Sequence, residues 1–140
     1  MTDPTGPTLA DTSAWVRYLR PRGSDDLKVA MREALAREQV ATCWVIRTEL
    51  LVGAKDQNAF DVLLEALRGI SDVPITEELW ELAARLGYGL RKQGLLVPLP
   101  DLLIAQCAIS SGRVLWHTDQ GFERITEHSS LRTWHWRTAD

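Results

Sequence analysis

Residues 95–119 read LLVPLPDLLIAQCAISSGRVLWHTD, and the order of events inside them decides the fold class. Pro98 and Pro100 lead into a helix, because a proline at a helix start gives up an N–H that has no partner there anyway. The apolar run Leu102–Ile109 carries that helix, and Gly112 stands where a C-terminal stop belongs. Val114-Leu115-Trp116-His117 then reads as the clearest strand of the chain, and it stops on Thr118-Asp119. The unit is helix, short strand, acid.

The same grammar extends outward. Upstream, Thr8-Leu9-Ala10 reads as a strand that stops on Asp11-Thr12-Ser13, followed by helical spacing over Ala14–Leu19 that Pro21-Arg22-Gly23 breaks. Ser24 is the expected cap of a helix carrying Leu27, Ala30, Met31, Ala34 and Leu35. Val40–Cys43 reads as a second strand, and Trp44–Ala54 as a helix that contains Glu49 and has Gly53 near its end. An amphipathic helix follows through Phe60, Leu63, Leu64 and Leu67 to Gly69. Val73-Pro74-Ile75 is extended, and Thr76 caps a long helix through Leu79, Ala83, Leu86 and Leu90 to Gly94. Downstream of Asp119 a turn of helix is expected around Gly121–Ile125, and a last strand over Leu131–Trp136. Helices alternating with short strands predict an α/β domain with a mostly parallel sheet flanked by helices.

A chain of 140 residues with 45% hydrophobic and 25% charged side chains is one ordinary globular domain by size and composition. Its expected extent is 8–136, between a polar tail at 1–7 and a short one at 137–140. No apolar stretch reaches 18 residues, and the first residues, MTDPTGPT, lack the charged and apolar regions of a secretory signal. Cys43 and Cys107 sit in apolar surroundings and read as buried, reduced thiols; the expected location is cytoplasmic. Five of the six tryptophans lie among apolar runs and read first as core or interface filler. With 16 basic and 19 acidic side chains the net charge is −3, which argues against holding nucleic acid by charge alone. Acids gathered around a metal ion escape that objection, since the ion then meets the phosphate.

In a parallel sheet, ligands sit beyond the C-terminal strand ends. Asp11 and Asp119 fall there directly, Asp101 opens a helix, and Glu49 lies in the apolar stretch IRTELLVGA. Each has a plainer reading. Asp11, Asp101 and Asp119 all suit helix caps or turns. Glu49, beside Ile46, Leu50 and Gly53, reads as turned inward, where an unpaired carboxylate costs several kcal/mol, with solvent exposure on the helix edge as its plainer reading. Taken together, the four are better explained by a hard cation such as Mg²⁺ or Mn²⁺, which takes carboxylate oxygens and relieves their repulsion. Other chemistries find less: Ser13 has no G-x-S-x-G, the histidines form no H-E-x-x-H, and no P-loop or G-x-G-x-x-G occurs. His117, inside a strand, reads as a satisfied structural histidine.

ADTSAW, IRTELLVGA, VPLPDLLIAQCA and WHTDQGFERI, in that order, resemble the four signature regions of PIN-domain nucleases, and more narrowly of the VapC-type toxins of bacterial toxin–antitoxin pairs. The resemblance runs from about residue 8 to 136. It implies a PIN-like three-layer fold and metal-dependent endonucleolytic cleavage of RNA, often structured RNA such as tRNA or rRNA. It implies a cognate antitoxin and a homodimeric toxin. By position it makes Asp11, Glu49 and Asp101 the metal-binding carboxylates, with Asp119 as a fourth acid that supports a second metal or orients water. Ser13, with Thr12 beside it, takes the supporting place near the metal. One position departs: the last motif usually reads D-x-D-F, and here Gly121 replaces its second acid. The expectation is one firmly held ion, and a second held weakly at most.

RNA would be steered by local basic groups, Arg17, Arg20 and Arg22 after the first acid and Arg91-Lys92 at the end of the long helix. The antitoxin is expected in a groove near the helices of residues 44–68. Two other readings find less support in the residues. A phosphotransfer domain would need a Lys after the last strand, or an Asp at position 13, and has neither. A non-catalytic PIN-like binding module would be marked by loss of one of the three central acids, and none is lost.

Overall fold

A computed structural model describes residues 4–21 and 26–136. The expected cap Ser24, the basic Arg22 and the tail 137–140 lie outside those residues. The chain runs β1 (Thr8–Ala10), α1 (Thr12–Leu19), α2 (Asp26–Ala36), β2 (Val40–Thr42), α3 (Trp44–Val52), α4 (Gln57–Arg68), β3 (Ser71–Asp72), α5 (Glu77–Lys92), α6 (Leu99–Ser111), β4 (Val114–Trp116), α7 (Gln120–Thr126) and β5 (Thr133–Trp134). Among the described residues the five strands form one sheet in the order β3-β2-β1-β4-β5, and every neighbouring pair is parallel.

The central strands lack polar alternation because both of their faces are covered by helices. Every residue of β1, β2 and β4 is buried. Helix α6 buries the unbroken run Leu103–Ala108, so it is a core helix with no solvent stripe over that stretch. Parallel strands need long crossovers, and local signals delimit the helices that supply them. Asp56 accepts from Ala59 N–H at 2.8 Å to start α4, and Thr76 Oγ1 accepts from Leu79 N–H at 3.2 Å to start α5. Gly112 ends α6 at φ 66°, a left-handed conformation that glycine adopts without a Cβ clash. At the opposite edge from the acids, the Arg113 guanidinium donates to the carbonyls of Thr8 (3.2 Å) and Gln39 (2.9 Å) and ties the strand starts together.

β2 and β4 each end one residue earlier than expected, at Thr42 and Trp116, so Cys43 and His117 follow their strands. Three further boundaries differ. The last strand is only Thr133–Trp134, although Leu131, Trp134 and Trp136 are all buried. The third strand is Ser71–Asp72, ahead of Val73-Pro74-Ile75. Val73 N–H still reaches Thr42 O at 2.8 Å, but Pro74 has no N–H with which to continue. The expected tail already joins the sheet at Pro7, whose carbonyl accepts from Val114 N–H at 3.0 Å. Trp15, Trp116, Trp134 and Trp136 fill the core as expected, whereas Trp44 and Trp80 are about half exposed. Cys43 and Cys107 are buried and form no disulfide. Among the described residues no helix is long and apolar enough to cross a membrane.

Leu115 is wholly buried in β4, paired with Leu9 on one side and Thr133 on the other. Leu115→Ala should lower unfolding free energy by about 2–5 kcal/mol, the usual cost of a cavity in a packed core. Urea unfolding followed by circular dichroism reads the change.

Candidate active site

Since all the strands run the same way, the residues that follow β1 and β4 emerge at one edge. Asp11 N–H donates to Trp116 O at 3.0 Å, which fixes the first acid against the end of the neighbouring strand. Asp11 also caps α1: its Oδ2 accepts from Ser13 Oγ at 2.8 Å and from Ser13 N–H at 3.4 Å. It is only 8% exposed. The next residue faces the second acid, with Thr12 Oγ1 donating to Glu49 Oε1 at 2.7 Å. The first turn of α1 therefore holds two carboxylates with two hydroxyls. Glu49 itself is exposed, contrary to the inward placement expected. The buried stripe of α3 is Ile46, Arg47, Leu50 and Leu51, and Glu49 sits on its flank, where Thr12 meets it.

Asp101 is a first-turn residue of α6, whose cap position is Pro98 with no side-chain cap bond. The cap reading of this acid is thus replaced by a half-buried carboxylate near the positive end of a core helix. Burial, and then the charges of Asp119, Asp11 and Glu49, push its pKa up to about 6. Each of the other three acids thus acts on Asp101 through its charge. Asp11 is also raised, by burial first; the Ser13 and Thr12 bonds work against the rise and the Glu49 charge adds to it.

Asp119 combines two roles. It caps α7, its Oδ1 accepting from Gly121 N–H at 2.8 Å. A Cβ on Gly121 would stand 3.2 Å from that oxygen, so the glycine that interrupts D-x-D-F also leaves room for the cap. Among the described residues no three His, Cys, Asp or Glu side chains are drawn together closely enough to share an ion. Asp11, Glu49 and Asp119 each take a nearby donor instead. The donor set is carboxylate oxygen throughout, the chemistry of hard divalent cations. Were such a cation to bind, Asp11, Glu49, Asp101 and Asp119 are the carboxylates that would hold it.

His117 follows β4 and is buried, with both ring nitrogens engaged, as expected of a structural histidine. Asp119 N–H donates to its Nδ1 at 2.9 Å, and its Nε2 lies 2.8 Å from Glu123 Oε1. Burial lowers its pKa against the opposing pull of Glu123. Glu123, which the sequence did not single out, is raised by burial but lowered more by bonds from Thr133 and His117. The available signal was its place beside Phe122 and Ile125, the buried residues of α7.

The expected RNA-binding residues divide. Arg17 is buried, three residues after the buried Ala14 on the inward side of α1, and offers phosphate no open guanidinium. Arg20 is exposed and lines a groove of about 420 Å³ that begins at Thr12 and Glu49 and runs past Val16, Leu50 and Leu63. Arg91 and Lys92 are exposed in the last turn of α5, on the side of the loop that leads into Asp101.

Residues 8–128 match the PIN domain family. The chain is 32% identical over 121 residues to Ribonuclease VapC18 of Mycobacterium tuberculosis, covering 82% of this chain and 84% of that one. Among solved structures it resembles VapBC2 from Rickettsia felis bound to a DNA fragment from their promoter. That likeness has TM-score 0.77 at 20% identity over 93% of this chain and 98% of that chain. It also resembles VapBC-5 from M. tuberculosis, a member of the VapBC family of toxin-antitoxin systems, with TM-score 0.65 at 23% identity over 94% and 99% of the two chains. Solved structures at such identities speak for the fold. The family match over most of the chain and the third-identical relative speak for descent: this chain belongs to the PIN-domain family, on its VapC branch.

Proposed function

We propose that the chain is an endoribonuclease dependent on Mg²⁺ or Mn²⁺, the toxin of a toxin–antitoxin pair, which hydrolyses structured RNA such as tRNA or rRNA. One observation carries the reading: the parallel pairing of β1 with β4 brings Asp11 and Asp119 out at one sheet edge, with Asp11 N–H donating to Trp116 O at 3.0 Å, in a chain a third identical to a ribonuclease. Burial, and then the charges of Asp119, Asp11 and Glu49, raise the pKa of Asp101 there. Such a group of acids is repulsive by itself and is stabilised by a hard cation. When bound, the cation supplies an activated water and neutralises charge that builds on the phosphate. Asp11, Asp101 and Glu49 would hold it. Asp119 supports a second, weaker ion or orients water, Gly121 having removed a further ligand.

The protein's own part is positioning. Ser13 and Thr12 fix the carboxylates of Asp11 and Glu49, so less reorganisation is needed when phosphate arrives. No side chain acts as a covalent nucleophile. The positive charge that meets RNA is local, from Arg20, Arg91 and Lys92, because the net charge is −3.

The groove beside Thr12 and Glu49 is walled by Val16, Leu19, Leu50, Ala59 and Leu63. It suits an antitoxin segment with an apolar face, and an Arg on that segment could compete with metal at the acids. The similar VapBC complexes support a partner of this kind. A homodimer belongs to the same proposal, supported by Tyr88, Leu96 and Leu99, which are exposed around the α5–α6 turn. The place of action is the cytoplasm, where RNA is met.

Purified protein should cut RNA in Mg²⁺ or Mn²⁺ and stop in EDTA. Asp11→Asn and Asp101→Asn should each lose more than the ~10–100-fold that even indirect support of a metal ligand costs. Either variant cutting at the wild-type rate contradicts the proposal.

The raised pKa of Asp101 has a definite sign in stability. A carboxyl with a folded pKa of about 6 holds its proton more tightly folded than unfolded, so its ionisation costs the folded state stability as pH rises from ~4 to ~6. In EDTA, the stability advantage of Asp101→Asn over wild type should therefore widen across that window and level off above it. Added Mg²⁺ should narrow the gap at pH 7.5 by stabilising only the wild type. Urea midpoints at several pH values give the gap directly.

A further inference from the structure

We propose that His117 is a positioning residue for the acid site, its Nδ1 holding the backbone N–H of Asp119 and so fixing where the fourth carboxylate stands. This rests on the reading of Asp119 as part of the cleavage site.

The ladder between β4 and β5 ends as His117 N–H donates to Trp134 O at 3.1 Å. Beyond it Thr118 and Asp119 are exposed, so the backbone there needs another anchor. Asp119 N–H finds one in the imidazole two residues back, at 2.9 Å. A nitrogen that accepts from an amide carries no proton, so in the neutral ring the proton is on Nε2. That nitrogen donates to Glu123 Oε1 at 2.8 Å, and Thr133 Oγ1 donates to the same oxygen at 2.8 Å. Phe122 closes edge-on against the ring, centroids 5.2 Å apart.

These bonds form a closed circuit. Asp119 caps α7, α7 carries Glu123, Glu123 orients His117, and His117 returns to the amide of Asp119. Thr133 pins the circuit to β5. A side chain that only filled this space would need no acceptor aimed at the loop, and a buried imidazole with both nitrogens committed to defined partners is a costly filler if either bond is dispensable. The carboxylate so held is the strongest of the charges acting on Asp101, after burial.

Two substitutions separate holding from filling. Asn places an oxygen near the position of Nδ1 and can still accept from Asp119 N–H, whereas Gln reaches toward Glu123 and leaves that amide without an acceptor. Wild-type protein labelled with ¹⁵N should show the Nε2–H tautomer of His117; the Nδ1–H tautomer overturns the proposal without any variant. By amide exchange, Asp119 should be at least about tenfold less protected in His117→Gln, and within about threefold of wild type in His117→Asn. RNA cleavage should follow, with kcat falling in the Gln variant at little change in KM and recovering in the Asn variant. Equal behaviour of the two variants in exchange and in kcat overturns the proposal. Asp119→Asn tells the two readings apart: cleavage at the wild-type rate removes Asp119 from the site and takes the role of His117 with it. Impaired cleavage alongside equal His117 variants overturns the positioning role alone.

Discussion

The parallel pairing of β1 with β4 is the constraint from which the rest follows. Ala10 sits opposite Trp116, and Asp11 N–H closes onto Trp116 O at 3.0 Å. Any acid that follows either strand must then emerge at the same edge. Two carboxylates are brought near each other by backbone geometry before any side chain chooses a rotamer. Glu49 on α3 is tied to the first turn of α1 through the Thr12 hydroxyl, and Asp101 on α6 is acted on by the charges of the other three. A buried sheet of short strands with helices on both faces makes this arrangement stiff, so the repulsion cannot be relieved by moving the strands apart.

What shifts instead is proton affinity and local bonding. Asp101 has its pKa pushed up to about 6, while Asp11, Glu49 and Asp119 each take a donor within reach. The plain and the chemical readings of these acids are therefore not rivals. Asp11 and Asp119 are helix caps and, in the proposed function, members of the acid site at once, because an acid just past a parallel strand is also just before the next helix. Capping fixes one oxygen and leaves the other lone pairs for chemistry.

Much of this was legible in the sequence, for physical reasons that also mark where legibility stopped. Pro98, Gly112 and the run Val114–His117 act locally, and local signals survive without knowledge of the fold. Thr76 and Asp119 cap helices as their side chains suggest. Glu49 was misjudged as inward because periodicity gives a stripe, not its width: on α3 that stripe ends at Leu50 and Leu51, and the acid is left on the rim. Arg17 was misjudged in the other direction, since a charged residue on a short helix reads as exposed until its three-residue spacing from Ala14 proves to matter. Glu123 offered only its place beside Phe122 and Ile125, because its partners are His117, just after β4, and Thr133 in β5, and only the sheet order brings them together. The same holds for the last strand, whose two-residue length depends on pairing with β4 rather than on its own composition.

The most direct measurement is anomalous diffraction at the manganese edge from crystals grown with Mn²⁺. The expected result is a peak at the C-terminal edge of β1 and β4, within ligand distance of carboxylate oxygens of Asp11 and Asp101, and absent from Asp101→Asn crystals. A manganese peak elsewhere on the protein, or none at saturating Mn²⁺ with all four carboxylates ordered, would contradict a metal-holding acid cluster.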